Sequence, residues 1–195
     1  MTVTSRAQQR KVFTSTGHTF QFNYPDSFAA YRHNQIEESQ SLYFIPVCEN
    51  EAAVCVLYPK NKYEGTGFEG ASFQVSEISA STESECLTPP ANPDAGARGH
   101  TYRVPFVVSA NRPTELINGT KFMHGEAAGA ATGHVISTDL YRNFHLRRCF
   151  ELSVSLAQSN LEHDPPGAGP EFTRGDQQHV LSDLNEILRS FKFVN

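Results

Sequence analysis

The sequence contains no tryptophan, and none of its apolar runs approaches the ~20 residues that a helix needs to cross a bilayer. Its 16 Lys and Arg are outnumbered by 21 Asp and Glu, for a net charge of −5. Nucleic-acid-binding proteins normally present a basic face, and the only compact basic cluster here is Arg142, Arg147 and Arg148. The composition therefore argues against nucleic acid or an anionic membrane surface as the partner.

Sequence signatures of catalysis are also missing. There is no G-x-S-x-G nucleophile motif and no phosphate-binding loop. Gly65, Gly67 and Gly70 have the G-x-G-x-x-G spacing of a dinucleotide-binding loop, but no helical pattern follows them, so they are predicted to form a turn. We therefore expect no cofactor, and a non-catalytic role is favoured over an enzyme.

Close cysteine pairs of the C-x₂₋₄-C kind, which are typical of zinc sites, do not occur among the four cysteines. Cys48 and Cys55 lie between two apolar strand patterns, and a hairpin there would place their sulfurs opposite each other. Cys86 and Cys149 would then form a second disulfide. Inert free thiols and a metal or catalytic role are the alternatives. Disulfides indicate an oxidising compartment.

Residues 1–12 are polar and lack periodicity, so they are predicted to be a flexible leader before a single α+β domain over 13–195. The start has no apolar signal-peptide core. Because the cysteines favour an oxidising compartment, we expect an exported protein whose signal sequence precedes the given start. Its location would be periplasmic, on the outer surface, or anchored by a lipid.

Aromatic and β-branched residues alternate with polar ones along much of the chain, which predicts strands of an antiparallel sheet with one apolar and one polar face. Proline- and glycine-rich stretches at 88–96 and 164–170 are predicted loops, and Asn118-Gly119 a tight turn. A short helix is predicted over 81–87. The predicted strands cover 19–24, a hairpin over 41–58, 68–78, 121–126, 134–142 and 144–156, with 127–133 as a loop.

The C-terminal region carries the clearest helix signal. Thr173 and Asp176 resemble a capping box, and an apolar stripe with helical spacing follows them. The stripe predicts a helix around 176–189 that packs on the sheet, followed by a short final strand at 190–193. The stripe residues are Val180, Leu181, Leu184, Ile187 and Leu188.

Two passages resemble PsbP-like and Mog1-like domains. Residues 20–28, in which a strand ends at Tyr24-Pro25 before Phe28, resemble the start of these domains, although the family has Trp where Phe28 stands. Residues 187–193 resemble their closing helix and strand. The resemblance implies an antiparallel sheet with packed helices in a PsbP/Mog1-like sandwich. It also implies interaction rather than catalysis, because the family includes bacterial lipoproteins, photosystem II accessory subunits and a partner of the small GTPase Ran.

A set of histidines is the main candidate for chemistry. His124 and Glu126 are two residues apart and so share one face of a strand, while His134 and His145 belong to the neighbouring strand patterns. If these strands are adjacent, the side chains could converge as a divalent-metal site or as a general base oriented by Glu126. A polar ligand site and ordinary surface histidines are the alternatives.

The ligand-binding candidates are therefore His124, Glu126, His134, His145 and Arg147, the last as an anion contact unless it pairs with a cross-strand acid. The favoured function is a non-catalytic binding or accessory module of the bacterial envelope, with an unknown protein or small polar ligand as partner. The alternative is a small metal-dependent or histidine-dependent hydrolase that uses His124, Glu126 and His134.

Overall fold

The computed structural model describes residues 9–17, 19–32, 35, 52–88, 107–131, 133–159 and 170–194. Within these ranges the chain forms eleven strands, two α-helices and a short 3₁₀ helix (Lys60–Tyr63). In chain order the strands and α-helices are β1 (Arg10–Thr14), β2 (Phe20–Pro25), β3 (Ala29–Tyr31), β4 (Ala52–Leu57), β5 (Phe68–Ile78), α1 (Glu83–Leu87), β6 (Val107–Val108), β7 (Thr114–Ile117), β8 (Thr120–Ala131), β9 (His134–His145), β10 (Arg148–Ser159), α2 (Arg174–Ser190) and β11 (Lys192–Phe193).

The strands make two antiparallel sheets. The smaller has the order β1-β2-β11, and the larger has the order β3-β4-β5-β10-β9-β8-β6, with β7 also paired to β8. Aromatic rings join the two sheets, because Phe22 meets Phe73 at 5.1 Å and Phe20 meets Phe150 at 6.1 Å between centroids. The result is a sheet-dominated sandwich: the alternating pattern predicted the antiparallel strands, and the resemblance to known domains implied the sandwich.

Helix α2 confirms the predicted C-terminal helix. The Thr173 hydroxyl accepts from the Asp176 N–H (3.2 Å), and the Thr173 N–H donates to the Asp176 carboxylate (3.0 Å), which completes the capping box. Four stripe residues are buried against the sheet and Leu181 is half-buried at the same core. We expected helices packed on the sheet. Because α1 is only five residues long, the main packed helix within the described ranges is α2.

The hairpin between β9 and β10 turns later than predicted. Its two turn residues, Leu146 and Arg147, both have positive φ (48° and 62°), as a two-residue hairpin turn of the primed type requires. Phe144 is therefore the last but one residue of β9 and pairs with Cys149. It lies on the face opposite to Phe150, so the predicted single stripe running from Phe144 to Leu156 is wrong at its start.

The predicted loop over 127–133 is mostly strand. β8 continues to Ala131 and stays paired with β9 up to that residue, which lies opposite His134. Small residues suit this position, since a Cβ built on Gly129 would lie only 3.3 Å from the side chain of Ile136. The Asn118-Gly119 turn is confirmed, with φ of 46° and 80° between β7 and β8.

The start of the chain also differs from the prediction. β1 begins at Arg10 and pairs with β2, so the last three residues of the predicted leader belong to a strand. Residues 1–8, the first part of the predicted hairpin at 41–51, and nearly all of the two proline-rich segments lie outside the described residues.

One predicted disulfide is confirmed. Cys86 in α1 is bonded to Cys149 in β10, with their Cα atoms 5.4 Å apart, and both residues are fully buried. Cys55 is disulfide-bonded as well. Its predicted partner, Cys48, lies outside the described residues, so the Cys48–Cys55 pair stays a prediction.

Candidate functional site

His124 is a fully buried polar residue of the larger sheet, in β8. The segment between β6 and β7 wraps around it. The His124 N–H donates to the carbonyl of Pro113 (2.9 Å), and its carbonyl accepts from the Ser109 N–H (3.1 Å). The imidazole Nδ1 lies 3.0 Å from the Arg112 carbonyl oxygen. The ring is thus held in one orientation by main-chain groups.

Strand register sets what faces this ring across β9. His124 is directly opposite Tyr141, and Glu126 is directly opposite Asp139. Residues opposite each other on paired strands share a face of the sheet, so all four side chains emerge on the same side. The His124 Nε2 lies 3.0 Å from Asp139 Oδ1, and the ring centroids of His124 and Tyr141 are 4.8 Å apart.

Glu126 completes this group at its exposed edge. Its Oε1 accepts a hydrogen bond from the Ser109 hydroxyl (2.8 Å), which ties it to the same wrapping segment. His124, Glu126 and Asp139 each present one ligand atom, and these atoms all lie within 4.8 Å of one another. We refer to these three residues as the His124 cluster.

Both ring nitrogens of His124 face oxygen atoms. Nδ1 lies beside the Arg112 carbonyl, and Nε2 lies beside the Asp139 carboxylate. Both oxygens only accept, so a neutral ring, which carries one proton, donates to one of the two. In the tautomer with the proton on Nδ1, the Nε2 lone pair and the Asp139 carboxylate are two acceptors 3.0 Å apart, an arrangement that a cation between them would stabilise.

Tyr141 lies against His124, and the pKa of its hydroxyl is raised. Burial is the main cause; the negative charges of Asp139 and Glu115 raise the pKa further, while Arg112 and Arg189 lower it. The Arg112 guanidinium is also 3.3 Å from the Glu115 carboxylate.

The structure does not bring His134 to this cluster. His134 begins β9, seven residues before Tyr141, and the odd separation places it on the opposite face of the sheet. At roughly 3.3 Å per residue it is also about 23 Å away along the strand. There its Nδ1 makes a close contact with the Glu69 carboxylate.

His145 and Arg147 lie apart from the cluster too. The His145 ring stacks on Phe193 of β11, with centroids 3.9 Å apart. Arg147 is exposed in the β9–β10 turn, and the cross-strand acids that it was expected to meet pair with other arginines. Glu151 binds Arg142 (2.7 Å), and Glu77 binds Arg148 (3.3 Å).

Sequence reasoning missed Asp139. Its signal is a charged residue two positions before the buried Tyr141, which puts a carboxylate on the same face of β9 as that tyrosine. The register that places it opposite Glu126 is set by the length of the turn between β8 and β9. That length was misjudged because the end of β8 was taken for a loop.

No protein-family profile matches the chain, and neither does any curated protein. A structure from Bacteroides thetaiotaomicron has a TM-score of 0.49 at 13% identity; the alignment covers 97% of this chain but 50% of that one. This chain therefore spans half of that protein's length.

Two further structures are similar. Cyanobacterial PsbP (CyanoP) from Synechocystis sp. PCC 6803 aligns over 100% of this chain and 98% of its own, with a TM-score of 0.47 and 12% identity. LpqN of Mycobacterium tuberculosis, described as involved in cell envelope biogenesis, aligns over 98% and 88%, with a TM-score of 0.42 and 9% identity. Identities this low do not transfer a function.

Proposed function

We propose that the chain is a non-catalytic binding or accessory module of the bacterial envelope, with a protein or a small polar ligand as its partner. The observation that carries this proposal is the state of His124. A general base must come within hydrogen-bond reach of the group it deprotonates. His124 is fully buried, and both of its ring nitrogens already face protein oxygen atoms. It is built into the fold rather than presented to a substrate.

The alternative, a hydrolase using His124, Glu126 and His134, requires these three side chains to converge. His134 lies on the opposite face, in contact with Glu69. Among the described residues, this set therefore lacks the geometry for joint acid–base catalysis. A binding role asks for no such convergence.

Export is the second part of the proposal. The Cys86–Cys149 bond is buried and links α1 to the central strand β10. Structural disulfides form and persist in oxidising compartments, so this bond supports a periplasmic, outer-surface or lipid-anchored location. No helix within the described ranges is both long and apolar enough to span a membrane.

The test uses the natural protein in the cells that produce it. Cells with a permeabilised outer membrane are treated with a membrane-impermeant amine crosslinker, and the tagged protein is then purified under denaturing conditions. We expect the reagent to reach the protein before lysis and to yield a discrete crosslinked species. Replacing both cysteines of the confirmed pair (Cys86→Ala with Cys149→Ala) is the control, and it should diminish that species by weakening the fold.

Two results would contradict the proposal. Labelling only after the inner membrane is broken would refute export. Turnover of chromogenic carboxylic or phosphoric esters by the purified protein, abolished by His124→Gln in a variant that still folds, would favour the hydrolase. Neither result depends on identifying the partner.

A further inference from the structure

We propose that the His124 cluster binds one divalent transition-metal ion of the zinc class. The cluster offers one imidazole nitrogen and two carboxylate oxygens, all within 4.8 Å of one another. Zinc bonds to such atoms at about 2.0–2.2 Å, and three protein ligands plus water is a common arrangement for it. The exposed Glu126 can rotate its carboxylate inward to reach these bond lengths. This inference does not depend on the proposed envelope role.

The hydrogen bond on the far side of the imidazole supports metal binding. Histidines that bind metals usually donate their other N–H to a carbonyl or carboxylate, which fixes the tautomer and the ring orientation. The Arg112 carbonyl holds the His124 Nδ1 in this way, at 3.0 Å. The Nε2 lone pair consequently points at Asp139, which is where an ion would sit.

Charge gives an independent reason. Glu126 and Asp139 are direct cross-strand partners, and like charges at such positions destabilise a sheet. The guanidinium of Arg112, whose carbonyl contacts the His124 ring, pairs with Glu115. A divalent cation between the two carboxylates and a neutral imidazole would cancel the net charge of the cluster. It would also satisfy the two facing acceptors.

The ligand types select the class of metal. Calcium and magnesium prefer sites made wholly of oxygen ligands, whereas an imidazole nitrogen favours zinc and similar transition metals. Glu126 is exposed and Asp139 is partly exposed, so an ion can enter from solvent.

The test is isothermal titration calorimetry with zinc chloride on the chelator-treated, disulfide-intact chain. We expect one ion per chain. Glu126→Gln and Asp139→Asn should each weaken zinc binding at least tenfold, because even the loss of an outer-shell partner costs about 10–100-fold in metal affinity. Glu126→Gln is the safer of the two variants for folding, since its side chain is exposed and its amide carbonyl can still accept from Ser109.

His134→Gln is the matched control. His134 also contacts a carboxylate, that of Glu69, but no third metal-binding residue accompanies this pair among the described clusters. We expect this variant to bind zinc like the unmodified chain. Long-range ¹H–¹⁵N spectra provide a second readout, in which zinc should shift the Nε2 resonance of His124 and leave that of His134 unchanged.

Several outcomes would overturn the proposal. One is that zinc, cobalt and manganese all fail to bind. Another is that Glu126→Gln and Asp139→Asn both keep the full zinc affinity, or that His134→Gln loses as much affinity as they do. A third is that calcium binds as tightly as zinc. A His124 resonance that stays constant while zinc binds elsewhere would have the same meaning. In that case His124 and Asp139 form a proton-bridged pair only.

Discussion

The Tyr58 hydroxyl donates a hydrogen bond to the Asp183 carboxylate (3.1 Å), and this contact joins the residue after β4 to the middle of α2. Lys62 reinforces it from the 3₁₀ helix, with its ammonium 3.6 Å from Asp183 and 4.8 Å from the centre of the Tyr58 ring. Tyr58 is almost completely buried and Asp183 is partly exposed, so the contact holds the helix to the sheet at the edge of the core.

We expect Tyr58→Phe to lower the free energy of unfolding by about 1–3 kcal/mol, the range for a hydrogen bond to a charged group. Urea denaturation of this variant, of Asp183→Asn and of the double variant forms a cycle that isolates the pair. The effects of the two single changes should not add. Full additivity would mean that the hydroxyl and the carboxylate stabilise the protein independently.

Alkaline pH should destabilise the protein through two tyrosines. Burial, and then the charge of a nearby aspartate, raises the pKa of Tyr58 and of Tyr141. The unfolded chain releases these protons near pH 10, whereas the folded chain keeps them. Stability from these groups is therefore complete below about pH 10 and falls as the pH rises above it.

Tyrosinate absorbance during a pH titration checks this expectation. Of the seven tyrosines, Tyr58 and Tyr141 should ionise only as the protein unfolds. Tyr141→Phe should remove one of the late-ionising groups. If all seven ionise together while circular dichroism still reports a folded chain, the two buried hydroxyls do not have raised pKa values.

Removing the Cys86–Cys149 bond should weaken the fold considerably. The cysteines are 63 residues apart in the sequence, and on the loop-entropy description a crosslink of that span stabilises by about 4 kcal/mol. Urea denaturation of the Cys86→Ala, Cys149→Ala double variant measures the effect. A loss under about 1 kcal/mol would indicate that the unfolded chain is little constrained by this bond.

Local signals in the sequence were enough to predict several elements. The capping box and apolar stripe identified α2, and alternation identified β5 with its inner residues Phe73 and Val75. These features depend on neighbours within a few positions, so propensity and periodicity reveal them. The turn at Asn118-Gly119 was predicted for the same reason, because the preference of Asn-Gly for tight turns is also local.

The candidate site was predicted only in part, because it depends on register between strands. His124 and Glu126 were identified together because both lie on β8, but their partner proved to be Asp139 rather than His134. A difference of one residue in pairing exchanges the two faces of a strand. Ala and Gly have low strand propensity, so the end of β8 was not predicted as a strand. Pairing with β9 overrides this local preference.

The packing of α2 gives the most direct test of the fold. Leu184 is fully buried, whereas Leu181, three residues earlier on the same helix, is only half-buried. Leu184→Ala should lower the free energy of unfolding by about 2–5 kcal/mol, the range for emptying a buried leucine site. Leu181→Ala removes the same atoms from the same helix, so helix propensity cancels in the comparison, and its cost should be clearly smaller. Thermal or urea unfolding of both variants measures the difference. Equal losses would mean that α2 does not present Leu184 to the sheet, because the cost of the deletion follows how completely the side chain is enclosed.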